Sequence, residues 1–214
     1  MPVLEPSRAP RGIVLFGPGA GGEPRRYAGL LDGFVAAGFV VLAPTHERFD
    51  PRTVTTQQLQ ERVVGLKNAL SDYGDTQLPV VAAGHSVGGW AALCLAGGQP
   101  WTQDGQEIAV TTEERVSRLV LYAPTVGWFR APGALAKVRQ PIIVHAGASD
   151  TITPPATTEL LRTASTPVSI RVHENVGHYD FMTEFPPGIR PTTGLDHRAF
   201  LGELAESAAS DLAG

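Results

Sequence analysis

The sequence predicts a three-layer α/β/α sandwich built on a mostly parallel sheet of about six strands. Three observations carry this. Short apolar runs alternate with longer segments of helical character along nearly the whole chain. The runs are apolar throughout, as strands covered on both faces require. One of them leads through Gly84-His85-Ser86-Val87-Gly88-Gly89 directly into a second apolar segment, the pattern of a strand turning sharply into a helix.

The elements follow in order. Residues 13–16 form the first expected strand, and residues 24–37 a helix with Pro24 near its first turn. Gly38 turns the chain into a strand at 39–43. Residues 56–73 place Leu59, Val63, Leu66 and Leu70 on one helical face, and Gly74 ends that helix. The run 78–83 reads as a buried strand, and 87–96, with Trp90, Leu93 and Leu95, as a buried helix. Strands at 118–123, 142–146 and 168–174 follow. A helix at 154–164, started by prolines, lies among them, and a helix at 196–212 closes the chain. Residues 3–5 add an edge strand to the six.

The 214 residues suffice for one domain spanning 1–214 with a sizeable core. With 43% apolar and 18% charged residues, the chain is globular rather than disordered. A net charge of −4 without a lysine or arginine run argues against nucleic acid or an anionic membrane as partner. No apolar stretch reaches membrane-spanning length, and residues 1–11 lack the apolar centre of a signal peptide. The single cysteine, Cys94, forms no internal disulfide, fits a cytoplasmic protein and reads as a small core residue.

Ligands of parallel α/β sheets bind beyond the carboxyl ends of the strands. Those ends carry Gly17 to Gly22, then Thr45-His46-Glu47, Ser86, Pro124-Thr125, Gly147 to Asp150, and Gly177-His178. A serine flanked by Gly84 and Gly88 must adopt a strained backbone to fit between strand and helix, and only very small neighbours let the chain pass so closely. Ser86, Asp150 and His178 thus stand at three strand ends.

Their order along the chain, together with the serine turn, resembles the α/β-hydrolase superfamily. The resemblance runs from Ile13 to the last helix. Residues 13–22 are similar to the family's strand and glycine turn, 147–154 to its acid loop and 175–178 to its histidine loop. The small dienelactone-hydrolase-like, chlorophyllase-like and polyester-hydrolase-like esterases are the most similar. The resemblance implies a shortened α/β-hydrolase fold with a small or absent cap and a serine esterase activity. In that activity Ser86 is the nucleophile, His178 the base and Asp150 the acid that orients it. The backbone N–H groups of Ala20 and Val87 form the oxyanion hole. No metal or organic cofactor is implied. The sequence departs from the family in two places. Pro18 stands where a histidine usually opens the glycine turn, which raises the question of what anchors the loop. Serine stands where dienelactone hydrolases use cysteine, which points to a carboxylic ester.

The other histidines read differently. His85 packs or hydrogen-bonds away from the nucleophile, and His145 is a satisfied core residue. His173 comes too early for the loop, and His197 lies on the surface. His46 is a candidate for lining the pocket. Asp180, two residues beyond His178, reads as a turn former or a solvated charge. Only residues 124–140 separate the fourth and fifth long strands, so the site is open, with Trp128 and Phe129 as candidate apolar walls. Phe181 and the proline-rich stretch after it form a candidate rim. These features suit a small-molecule ester of modest, uncharged acyl or aryl type. The same catalytic residues would also serve a thioesterase or acyltransferase, or persist in a catalytically silent binding protein. The turn Gly17-x-Gly19-x-x-Gly22 also fits a dinucleotide-binding spacing. No acidic residue closes the next strand, however, and that reading leaves the serine, acid and histidine loops without a role.

Overall fold

The chain builds one seven-stranded sheet, seen here in a computed structural model that describes residues 3–74 and 77–213. The strands are β1 (Val3–Leu4), β2 (Gly12–Gly17), β3 (Phe39–Leu42), β4 (Val80–His85), β5 (Val116–Tyr122), β6 (Ile142–Gly147) and β7 (Val168–His173). Their spatial order is β1-β3-β2-β4-β5-β6-β7. β1 runs antiparallel along β3, with Val3 opposite Leu42, and the other six strands are parallel. The edge strand and the six parallel strands stand as the sequence indicated.

β2, β3, β4 and β6 are buried at every position, which is why they read as unbroken apolar runs. Alternate residues still serve opposite faces. Ile13 and Leu15 join the core on one side of the sheet, Val14 and Phe16 that on the other. α2 (Thr56–Tyr73) and α3 (Val87–Leu95) cover the first side, α1 (Ala28–Ala36) and α4 (His197–Leu212) the second. α2 starts where Thr55 Oγ1 accepts from Gln58 N and Gln58 Oε1 accepts from Thr55 N. It ends at Gly74, whose φ is 113°. Among the described residues no helix is long and apolar enough to cross a membrane.

Two helical expectations are corrected. Residues 24–37 divide into a 3-10 turn, Pro24–Tyr27, and α1. Residues 154–164 wind as a 3-10 helix, Pro155–Thr163, rather than an α-helix. There Thr157, Thr158 and Thr163 each donate a hydroxyl proton to the carbonyl three residues back.

Sequence order reverses between β2 and β4, since β3 lies on the far side of β2. This is the switch point of the sheet. It brings the turn after β2 against the turn after β4, with Gly17 level with Gly84.

Candidate active site

Ser86 sits between β4 and α3 with φ 54° and ψ −119°, a region L-residues rarely occupy. The surroundings hold it there. Ser86 N donates to Tyr122 O of β5, and Ser86 O accepts from Gly89 N, Trp90 N and Thr125 N. A Cβ on Gly84 would lie 2.4 Å from the Gly88 carbonyl carbon, and one on Gly88 only 1.8 Å from Gly17 O. The ends of β2 and β4 and the start of α3 therefore touch through backbone alone. Ser86 Oγ lies 3.5 Å from Thr125 Oγ1. Val87 is the first residue of α3, so its N–H has no acceptor within the helix.

Asp150 and His178 meet across the ends of β6 and β7. His178 Nδ1 lies 2.8 Å from Asp150 Oδ2. Oδ1 accepts from Ile152 N and Thr153 N, each at 2.8 Å. Thr153 Oγ1 lies 2.7 Å from Asp150 Oδ2, 3.0 Å from Ala123 O and 3.0 Å from His178 Nδ1, closing the third side of the pair. Burial alone would raise the Asp150 carboxyl. The hydrogen bond and charge of His178, with the Thr153 amide and hydroxyl, instead bring it down to about 2. A carboxylate at Nδ1 fixes the proton there and leaves Nε2 as the basic nitrogen.

Asp180 is a buried anchor rather than a solvated charge. It accepts from Gly177 N, Thr192 N and Thr192 Oγ1, fixing the turn that carries His178 to the 186–194 segment. His197 is half-buried, 3.0 Å from Asp180 O.

The turn after β2 is gripped from two sides. Tyr27 Oη accepts from Gly19 N at 3.0 Å and lies 2.9 Å from His85 Nδ1. His85 Nε2 lies 2.9 Å from His178 O. A carbonyl can only accept, so Nε2 carries the proton and Nδ1 accepts from the tyrosine. Burial, and next the neighbouring His178, push the His85 pKa down to about 3, keeping it neutral. On the other side Arg62 of α2, 2% exposed, donates to the carbonyls of Pro18, Gly19, Ala20 and Glu47. Its guanidinium also stacks 4.7 Å from the Phe49 ring centre. Burial pulls its pKa down to about 10, leaving it charged at neutral pH.

A cavity of about 500 Å³ brings Ser86, His178, Ala20 and Val87 to one surface. Phe49, Val54, Leu59, Trp128, Ile152, Met182, Pro186 and Pro187 line it, together with Glu23, Arg25, Arg26 and Arg48. Trp128 lines it, whereas the other candidate pocket residues, His46, Phe129 and Phe181, do not. His46 lies against Gly65 of α2, 2.7 Å from where a Cβ would sit there, and burial followed by the Arg62 charge lowers it to about 4. Phe129 is buried in the α2/α3 core. Phe181 is buried on the other side of the sheet against His85, Tyr122 and Phe200. Each followed a strand end or the histidine loop in sequence, yet the rings of Phe129 and Phe181 fill the two cores, and half-buried His46 lines a separate small cleft with Phe49 and Arg62. Arg62 and Tyr27 were absent from the sequence reading. Arg62 left a trace, standing on the apolar face of its helix between Leu59 and Leu66; Tyr27 left none.

Among the described residues no three His, Cys, Asp or Glu side chains come together so as to hold a metal ion. No family model matches the sequence, and no curated protein matches it significantly. Solved structures do match. The dienelactone hydrolase from Anabaena variabilis has a TM-score of 0.68 at 22% identity, covering 98% of this chain and 88% of its own. An α/β serine hydrolase homologue from Coxiella burnetii has 0.65 at 18%, covering 99% and 90%. The propionate-bound thermophilic esterase Est2 from Thermogutta terrifontis has 0.60 at 18%, covering 97% and 86%. The fold is therefore the α/β-hydrolase fold, in a short form with β1 as its antiparallel edge.

Proposed function

We propose that this protein is a serine hydrolase that cleaves small carboxylic esters through an acyl-enzyme. The observation that carries the reading is the Asp150–His178 pair, 2.8 Å apart, sharing one cavity with a serine held at φ 54°. Ser86 Oγ attacks the acyl carbon while His178 Nε2 takes its proton. The carbonyl oxygen becomes an oxyanion facing the N–H groups of Val87 and Ala20. The C–O bond to the alcohol breaks, and the alcohol leaves with the proton from Nε2. Water then repeats the sequence, losing a proton to His178 and releasing the acid from Ser86.

The esterases and the dienelactone hydrolase that share the fold support hydrolysis as the reaction class. The cavity volume favours an ester of modest size. Buried Cys94 suits a reducing compartment, and we place the enzyme in the cytosol. The test is hydrolysis of p-nitrophenyl acetate with labelling by a fluorophosphonate. The wild-type protein turns over the ester and is labelled once, at Ser86; Ser86→Ala does neither. An ester-hydrolysing Ser86→Ala protein overturns the reading.

A further inference from the structure

We propose that Arg62 is a positioning residue of the oxyanion hole, holding the 18–20 backbone so that the Ala20 N–H faces the acyl oxygen. The inference rests on the serine hydrolase reading and adds to it a residue outside the catalytic group.

A buried arginine is costly unless its charge and its N–H groups are matched. Among the described residues Arg62 has no carboxylate partner; its matches are four backbone carbonyls and the face of Phe49. Three of the carbonyls belong to consecutive residues, Pro18, Gly19 and Ala20. In extended chain successive carbonyls point to opposite sides. Here all three are drawn to one side by a single planar fork, a geometry that suits guanidinium and not ammonium.

The consequence for the site follows from peptide geometry. The chain has no cis peptide among the described residues, and in a trans peptide C=O and N–H point in opposite directions. Gly19 O accepts from Arg62 and, across the turn, from Gly22 N, so the Ala20 N–H of the same peptide points the other way. Ala20 borders the cavity, and among the described residues its N–H has no acceptor. The neighbouring Gly19 N–H is already committed to Tyr27 Oη. The loop thus has one donor tied back and the next left free. A cation on Gly19 O also polarises that amide and strengthens its N–H as a donor. Arg62 further joins the loop to 46–49, where Ala20 O accepts from Phe49 N and Gly22 O from His46 N. The turn that Pro18 begins is thus anchored by Arg62 of α2 on one side and by Tyr27 on the other.

The test compares Arg62→Met, neutral and of similar length, with Arg62→Lys, charged but without the fork. End-point labelling by a fluorophosphonate counts competent sites. Turnover of p-nitrophenyl acetate is expressed per competent site, and affinity is measured for a phenylboronic acid, which forms a tetrahedral adduct on serine. We expect kcat per site to fall about 10- to 100-fold in Arg62→Met, with KM within about threefold. Boronic acid affinity should fall by a similar factor, and Arg62→Lys should lie between the two. Unchanged kcat per site in both variants overturns the proposal, as does a loss confined to the number of competent sites or to KM. Where Arg62→Met does not fold, Arg62→Lys decides alone by the same readouts. A wild-type protein without Ser86-dependent esterase activity overturns the hydrolase reading and this proposal together. An active wild-type protein indifferent to Arg62 overturns this proposal only.

Discussion

Tyr27 Oη stands 2.9 Å from His85 Nδ1, and that contact joins the turn after β2 to the loop that carries His178. The chain of donors runs from Gly19 N–H to the tyrosine oxygen, from the tyrosine hydroxyl to His85, and from His85 Nε2–H to the His178 carbonyl. Tyr27→Phe keeps the ring and its packing on Phe16 but strands two buried partners. The expected cost is about 1–3 kcal/mol, the price of leaving such groups unpaired. Urea unfolding measures it. A fall in kcat should accompany it, since both the turn proposed to hold the oxyanion and the loop that carries His178 lose a tie.

Asp150→Asn should leave the fold and KM nearly intact and lower kcat by about 10⁴-fold. The carboxylate fixes the Nδ1–H tautomer and stabilises the imidazolium, and an amide does neither. Steady-state kinetics on p-nitrophenyl acetate give the split. A loss below about tenfold would remove Asp150 from the role of acid.

Stability should fall steeply in acid. His85 is brought to about 3 by burial and then His178, His46 to about 4 by burial and then Arg62, and His173 to about 4 by burial and then His145. Their ordinary value is 6.5, so the unfolded chain binds protons that the folded chain refuses between these values. The stability they carry is complete above pH 6.5 and is lost as the pH falls toward 4. Asp150 adds a second loss between its ordinary 3.8 and about 2. The urea midpoint between pH 4 and 6 should report uptake of about two to three protons on unfolding, and about one fewer in His85→Gln. A flat profile would contradict the buried neutral histidines.

Two glycine substitutions should act in opposite directions. Gly88→Ala drives a methyl group into Gly17 O and should cost about 3 kcal/mol or more, with loss of activity. Gly202 lies inside α4 with nothing within 4 Å of a Cβ, and Gly202→Ala should stabilise by about 0.5–1 kcal/mol. Thermal unfolding of both variants checks the pair.

Much of the fold was legible because burial on both faces leaves an unmistakable apolar run. β2, β3, β4 and β6 are such runs. β7 was recognised too, though its alternating exposure marks it as an edge. The winding of 155–163 was not legible, because apolar residues three and four apart serve a 3-10 and an α-helix alike. The pocket walls fared worst. His46, Phe129 and Phe181 stand beside strand ends or the histidine loop in sequence, but chain proximity does not say which way a ring turns.

The sequence by itself determined the serine turn, the order Ser86, Asp150, His178, and the strand ends that bear them, since these depend on local backbone sterics and on apolar periodicity. Tertiary structure alone decided the grip on the turn after β2. Arg62 lies over forty residues from Pro18, Tyr27 lies 58 residues from His85, and His85 lies 93 from His178. Hydrogen bonds over such separations exist only once the sheet has brought β2 and β4 side by side and α2 has packed across them. No local pattern encodes them.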